Sequence, residues 1–286
     1  MSALSWRRDR PRKAKLSREN PWVRRLLVGA VLLYTGGLIA APLAALVFGA
    51  LQDGVGAILA ALVRPDVLQA FWKTVLIGLA VVVVHTFLGT LAAWLLVRFR
   101  FPGRELLNAL VDMPFAISPV VVGYMLLLLF GRNGFLSPAL QALDLQVAFA
   151  MPGMVLATLF VTLPFMVREL IPLLENFDYH QEQAAATLGA NGWQTFWLVI
   201  LPALRWGFIY GISLTFARAL GEFGAVLVIG GGVQGRTETA TLFIYRALEE
   251  RQYTGAYSAA LLLGFFSLIL VLGTDLLRKQ EKKRLG

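Results

Sequence analysis

Six long apolar stretches restrict what this chain can fold into more than any other feature of it. Each is about 20 residues or longer, which is the length of helix that crosses a hydrocarbon layer about 30 Å thick. Hydrophobic residues make up 58% of the 286 residues and charged residues only 15%, so a soluble domain would have no room to bury them. The predicted spans are Leu26–Leu51, Phe71–Val97, Leu106–Phe130, Val147–Val167, Gly207–Ile229 and Ala256–Leu277.

The stretches predict helices and not strands. They are continuous apolar runs, whereas a membrane-spanning strand of about ten residues alternates between apolar and polar side chains. The fold class is therefore an all-α membrane protein, a polytopic bundle of six transmembrane helices. Pro114 and the pair Ser118-Pro119 interrupt the third span, and Pro152 and Pro164 interrupt the fourth, so we expect both to be kinked.

The distribution of basic residues predicts the orientation. Arginine and lysine crowd the tail before the first span (residues 1–25), the C-terminus after the last span (residues 278–286) and the loop at residues 98–104. An even number of spans puts both tails on one side, and the positive-inside rule makes that side the cytoplasm. The excess of basic residues gives an isoelectric point of about 10.2. Attraction to anionic lipid explains that excess, so nucleic acid is not an expected partner.

A polar island separates the fourth and fifth apolar stretches. Residues 182–188 favour a short helix, and the glycines and asparagine of residues 189–192 predict a tight reversal. An apolar stripe over residues 193–200 predicts a second helix lying along the membrane interface, ended by Pro202 before the fifth span. The island is either an amphipathic loop resting on the membrane or a site that another protein grips.

The amino-acid sequence of this polar island resembles the EAA loop of ABC-importer permeases. That resemblance implies the type I ABC importer permease fold, with a cytoplasmic coupling helix on which the ATPase docks. Gln183 stands where the family usually has glutamate, although Glu182 is adjacent, and Val199 replaces isoleucine. The residues at the family spacing are Ala184, Ala185, Gly189, Leu201 and Pro202, and the implied coupling loop is made of these five together with Glu182 and Gln183.

Several longer segments are similar to the sulfate/thiosulfate permeases, and more narrowly to the W-type member of their T/W pair. The resemblance implies a first transmembrane helix and external loop over residues 26–69 and an ABC type-1 transmembrane domain over residues 70–277. The stretch at residues 218–224 is also shared with molybdate permeases, so it does not by itself choose the anion. The segments that carry the resemblance are residues 101–104, 112–121, 131–134, 164–170 and 217–225.

The same resemblance implies the partners of the chain. They are a homologous permease in a heterodimer, a dimer of cytoplasmic ABC ATPases and a periplasmic sulfate-binding protein, assembled on the bacterial inner membrane. The chain itself is expected to bind no cofactor, because ATP and magnesium would belong to the ATPase. The alternatives are a molybdate or tungstate permease, as a homodimer, and a secondary transporter or anion channel that works alone.

Two charges interrupt the fifth apolar stretch. Arg218 and Glu222 are four residues apart, so they face each other on a helix and can form an ion pair. The pair either locks the span into the bundle or lets the guanidinium attract a tetrahedral dianion in transit, with help from hydroxyls such as Ser118. Both readings remain open at this point.

The remaining motifs indicate neither a nucleotide-binding site nor a catalytic or metal site. Residues 230–237 imitate a phosphate-binding loop, but they follow a helix and lie outside by the predicted topology. We expect instead a flexible external loop that, with the mixed charges around it, contacts a substrate-delivery protein. His85 and His180 are the only histidines and cysteine is absent, so neither a metal site nor a catalytic residue is predicted, and the chain is not an enzyme by itself.

Overall fold

The regular structure in the described part of the chain is entirely helical, which confirms the predicted fold class. A computed structural model describes the backbone of residues 21–285 and the side chains of residues 22–276. Most of the basic tail predicted at residues 1–25, and the side chains of the basic C-terminus at residues 278–286, lie outside the described residues. The helices are α1 (Pro21–Leu51), α2 (Gly54–Leu62), α3 (Pro65–Arg98), α4 (Arg104–Ala116), α5 (Pro119–Phe130), α6 (Ser137–Ala142), α7 (Met151–Glu175), α8 (Tyr179–Thr187), α9 (Gly192–Thr195), a π-helical segment (Phe196–Ile200), α10 (Leu201–Leu220), α11 (Gly224–Gly230), α12 (Ala240–Glu249) and α13 (Tyr253–Leu285).

The chain divides into two compact units, residues 1–48 and residues 49–286. The described part of the first unit is the apolar helix α1, which continues to Leu51 and has Pro42 within it. The second unit contains the remaining helices and every candidate site. The domain boundaries predicted at residues 25, 69 and 277 stay predictions.

Five helical segments among the described residues are long and apolar enough to cross a membrane, and the pair α4 and α5 provides a sixth if it counts as one span. The expectation of a single kinked helix over Leu106–Phe130 is wrong, because the axes of α4 and α5 differ by 113°. Ile117 and Ser118 have extended backbone, with ψ of 131° and 135°. A residue that precedes proline avoids the helical region, so Ser118-Pro119 ends one helix and begins another.

The bent pair nevertheless reaches from one end of α7 to the other. Glu105, in the first turn of α4, lines a cavity of about 300 Å³ together with Glu175, the last residue of α7. Phe130, the last residue of α5, lines a cavity of about 780 Å³ together with Phe149, just before α7 begins. The C-terminal end of α7, which leads into α8, is called the α8 end below. The opposite end, where α12 lies, is called the α12 end.

The fifth span begins and ends earlier than Gly207–Ile229. The candidate span covers Gly192–Leu220, so α9, the π segment and α10 run on as one segment. The separate interfacial helix ended by Pro202 is therefore wrong. The Leu201 N–H donates to the Phe196 carbonyl, five residues back, so the turn just before Pro202 is wider than an α turn. Residues 221–223 separate α10, the last part of the fifth span, from the short helix α11.

Helix α7 forms the centre of the second unit, packed between α3 and α10. His85 of α3 is buried and its Nε2 lies 3.0 Å from Thr162 Oγ1 and 3.1 Å from the Leu159 carbonyl oxygen, both on α7. A carbonyl oxygen only accepts, so Nε2 carries the proton and donates. His85 thus joins two helices as a polar packing residue.

Close contact between α5 and α11 depends on Gly123. A Cβ at this position would lie 2.6 Å from the Ala225 carbonyl oxygen and 2.8 Å from Val228 Cβ. The first of these atoms is backbone, so it cannot rotate away. The contact holds the two short helices side by side next to their breaks.

Replacing Gly123 by alanine is expected to destabilise the protein by about 1–3 kcal/mol, because α5 and α11 must separate to admit the methyl group. Thermal unfolding in detergent, followed by fluorescence, measures the effect. Gly264→Ala in α13 is the matched control, since a Cβ there has no atom within 4 Å. Equal unfolding temperatures for the two variants would contradict the close packing described here.

Candidate functional site

Helices α8 and α9 form an exposed elbow at the α8 end. The Asp178 side chain accepts the His180 N–H at 3.0 Å and caps the start of α8, of which no residue is buried. Gly189 ends the helix with φ of +84°, in the left-handed region that favours glycine. Asn191 and Gln194 then cap α9 reciprocally, at 2.8 and 2.9 Å. Local sequence thus builds a helix, a sharp turn and a second helix start.

The elbow exposes most of the residues that the sequence assigned to a coupling loop. Gln183, Ala184 and Gly189 are exposed and Ala185 is half-buried. The most exposed large apolar side chain there is Leu188, at 89%, which the sequence analysis did not single out. An apolar side chain next to small residues on an open turn offers a flat surface that another protein can cover. Leu201 and Pro202 belong to α10 instead of the elbow.

Glu182 differs from its neighbours because it faces the bundle. Its Oε1 forms an ion pair with the Arg98 guanidinium at the end of α3. The sequence offered no signal for this pair, because the two residues are 84 positions apart. Glu182 therefore belongs to the attachment of the elbow, whereas Gln183 and Ala184 belong to its free surface.

Arg218 and Glu222 form the ion pair that their spacing allows, with Arg218 Nη2 2.9 Å from Glu222 Oε2. The Glu222 side chain is 2% exposed and the Arg218 side chain 29%. Glu222 Oε1 also accepts the Ala225 N–H at 3.1 Å, so the carboxylate caps the start of α11. The carboxylate is thus fixed by two contacts, while the guanidinium retains an accessible face.

The breaks in the third and fifth spans lie side by side. A Cβ on Gly224, at the start of α11, would be 3.1 Å from Val120 Cγ2 and 3.3 Å from Pro119 Cβ, at the start of α5. Ser118 precedes α5, is exposed, and makes no side-chain capping bond. Free backbone N–H groups give a helix start a partial positive charge. The breaks therefore bring the Arg218–Glu222 ion pair and the start of α11 next to the start of α5.

A polar contact that the sequence analysis missed joins α4 to α7. Arg168 Nε and Nη2 donate to the two carboxylate oxygens of Asp112, at 2.7 and 2.5 Å. Nη2 also donates to Asn108 Oδ1 at 2.8 Å. Asp112 and Arg168 are 56 positions apart, so local sequence does not indicate this contact. The fork geometry fixes α4 against the C-terminal half of α7.

At the α12 end, the predicted flexible loop is partly wrong. Thr237, Glu238 and Thr239 are buried, and Glu238 Oε1 accepts from Arg246 Nε at 2.6 Å. That hydrogen bond raises the pKa of Arg246 above its usual range, against the opposing effect of burial. Because Glu238 and Arg246 satisfy each other, they are not available for a weak, steered contact with a delivery protein. Residues 231 and 233–236 stay exposed, whereas the end of the segment, from residue 237 to residue 240, is buried.

Comparison with known proteins places the chain among transport components. The family described as binding-protein-dependent transport system inner membrane component matches residues 85–285. The sulfate transport system permease protein CysW of Synechococcus elongatus is 47% identical over 258 residues, covering 90% of each chain. The sulfate transport system permease protein CysT of Escherichia coli (strain K12) is 37% identical over 259 residues, covering 91% of this chain and 94% of the relative.

A solved structure shares the fold. One chain of a bacterial alginate ABC transporter, crystallised with an alginate pentasaccharide-bound periplasmic protein, superposes with a TM-score of 0.75. The match covers 92% of this chain and 96% of that one, at 15% sequence identity. At this identity the likeness concerns the fold, and it supports the arrangement of broken spans around a central helix.

Proposed function

The chain belongs to the family of binding-protein-dependent transport system inner membrane components, and from this premise we propose that it is the permease subunit of an ATP-driven sulfate and thiosulfate importer. The observation that carries the proposal is 47% identity to a CysW sulfate permease over nine-tenths of both chains, against 37% to a CysT protein. This difference favours the W-type role. The molybdate and tungstate alternative, and a channel that works alone, are not favoured by these relatives.

The proposed assembly contains a homologous permease, two cytoplasmic ABC ATPase subunits that bind ATP and magnesium, and a periplasmic sulfate-binding protein. The chain is a multi-pass inner membrane protein, and in the proposed orientation both termini and the α8 end face the cytoplasm. Arg98, Arg100 and Arg104 lie at the same end as α8 and support that orientation by the positive-inside rule. The exposed elbow of Gln183, Ala184, Leu188 and Gly189 would be covered by one ATPase subunit.

The interior site supports a role in passage of the anion. The Arg218 side chain is 29% exposed and pairs with Glu222, which caps the start of α11, and Ser118 precedes the neighbouring start of α5. These groups attract an oxyanion without a metal or a cofactor. Glu222 holds the guanidinium from the other side, which weakens retention of the anion. A site that attracts weakly suits transport, since the cargo must leave again.

Uptake of radiolabelled sulfate into proteoliposomes tests the proposal. The complete assembly is expected to accumulate sulfate only with ATP inside the compartment that the ATPase faces and with the binding protein on the other side. Unlabelled thiosulfate should reduce the uptake strongly and molybdate only weakly. Stronger competition by molybdate would favour the alternative cargo, and ATP-independent flux through the chain alone would favour a channel.

A further inference from the structure

The end of α3 carries an arginine in an unusual setting. The side chain of Arg98 is only 6% exposed, although it lies at the end of the helix that leads into the basic loop at residues 98–104. Its guanidinium carbon is 4.1 Å from the Tyr179 ring centroid, 4.9 Å from that of Trp94 and 5.9 Å from that of Phe177. The ion pair with Glu182 completes the enclosure. Arg98 is therefore held by two residues of α8, Tyr179 and Glu182, and by the rings of Trp94 and Phe177.

The positive-inside rule does not require that Arg98 be buried. Arg100, two residues further on, is exposed and satisfies the positive-inside rule equally well. Burying a guanidinium costs free energy that only close and well-formed contacts offset. Arg98 thus has a role that Arg100 does not share.

The contact is a principal attachment of α8 to the bundle. No residue of α8 is buried, so apolar packing does not fix the helix. Two of its residues, Tyr179 and Glu182, reach Arg98, and Phe177 just before α8 is buried in the cluster that contains Ala93 and Leu96 of α3. Tyr179 and Glu182 thus attach α8 to the last part of α3, while the cluster around Phe177 also includes residues of α4, α7 and α10, and α8 also contacts the π segment.

Helix α3 is a continuous connection from there to the α12 end. It has 34 residues and no proline after Pro65, which makes it about 50 Å long at about 1.5 Å per residue. Near its start, Lys73 Nζ donates to the Gly235 carbonyl oxygen at 2.7 Å, and Thr74 Oγ1 accepts the Ala240 N–H at 2.8 Å. A displacement of the last turn of α3 would reach the segment from Gly235 to Ala240 through one continuous helix and these hydrogen bonds.

We propose that Arg98 is a positioning residue that couples α8 to α3, so that movement of the elbow displaces α3 and through it the α12 end. The proposal rests on the proposed function, because the ATPase must supply the movement. It differs from docking, since the docking surface is the exposed face of the elbow and Arg98 is enclosed. Loss of Arg98 should leave the ATPase bound and active but disconnect hydrolysis from transport.

The test measures ATP hydrolysis and sulfate uptake by the complete assembly in the same proteoliposomes. For Arg98→Ala and Glu182→Gln we expect hydrolysis within about twofold of wild type and at least a tenfold fall in sulfate moved per ATP. Arg100→Ala is the matched control and should leave that ratio unchanged. Glu182→Gln keeps the size of the side chain, so it remains informative if Arg98→Ala fails to fold.

Other outcomes would overturn the proposal. An unchanged ratio of sulfate to ATP in both variants would show that the ion pair transmits nothing. Loss of the ATPase during purification of both variants would assign the pair to docking or folding. If the wild-type assembly neither hydrolyses ATP nor accumulates sulfate, the proposed function fails. That failure is distinguishable from failure of the Arg98 proposal, because it appears before any substitution is made.

Discussion

Replacing Gly189 by valine is expected to weaken binding of the partner ATPase by about tenfold or more. Gly189 has φ of +84°, and a side chain in this region costs about 1–3 kcal/mol. A Cβ there would have no atom within 4 Å, so the strain arises from the backbone and not from a clash. The turn must change its conformation, and the elbow then presents Leu188 and Ala184 differently. About 1.4 kcal/mol corresponds to a tenfold change in affinity.

Gly192 supplies the matched control for this experiment. It lies in the same elbow, and a Cβ at Gly192 would also have no atom within 4 Å, but its φ is not positive. Gly192→Ala should therefore bind the ATPase like wild type. The measurement is the dissociation constant of the ATPase for the permease in nanodiscs. If Gly189→Val bound within about twofold of the control, the elbow would not be the docking site.

Removing the guanidinium of Arg218 alone should impair both stability and transport. Glu222 is 2% exposed, so Arg218→Ala leaves a buried carboxylate without its partner. Breaking a buried ion pair in this way costs about 3–5 kcal/mol, discounted here because Arg218 is partly accessible. Thermal unfolding of the variant would report that loss. This single variant does not distinguish a structural lock from a site on the anion pathway.

The double variant Arg218→Gln with Glu222→Gln separates the two roles. Both side chains keep their approximate size and lose their charge, so much of the stability should return relative to Arg218→Ala. Sulfate uptake should nevertheless remain at least about tenfold below wild type, because the attraction for the dianion is gone. Wild-type uptake by the double variant would mean that the pair serves only to hold the span in the bundle.

Much of the fold follows from local sequence. Continuous apolar runs predict where most of the spans lie. Gly189 with Asn191 dictates the turn of the elbow, since few other residues adopt or cap such a turn. The spacing of Arg218 and Glu222 predicted their ion pair, although Glu222 lies just past the end of α10 and not on the same helix. These features depend on residues close together in the chain.

The remaining features depend on contacts between distant residues. Ser118-Pro119 signals a break, but the bend of 113° is fixed where α5 packs against α11 at Gly123. The fifth span passes Pro202 because the turn before it widens, which apolar periodicity does not reveal. Arg98 looked like one of several basic residues in a loop. Its enclosure by Glu182 and Tyr179 arises only when α3 and α8 are brought together.

The widened turn at Phe196–Ile200 carries a geometric consequence. An α-helix advances about 100° of rotation per residue, and a π turn accommodates one residue more than an α turn does. Exchange of this π turn for an α turn would therefore swivel the preceding segment by about 100° about the axis of the span. Trp193 lies on that segment and is 71% exposed. Its side chain would then point in a different direction about the axis of the span, while the C-terminal half of α10 would stay in place. The π turn thus sets the rotational offset between the elbow and the C-terminal half of α10.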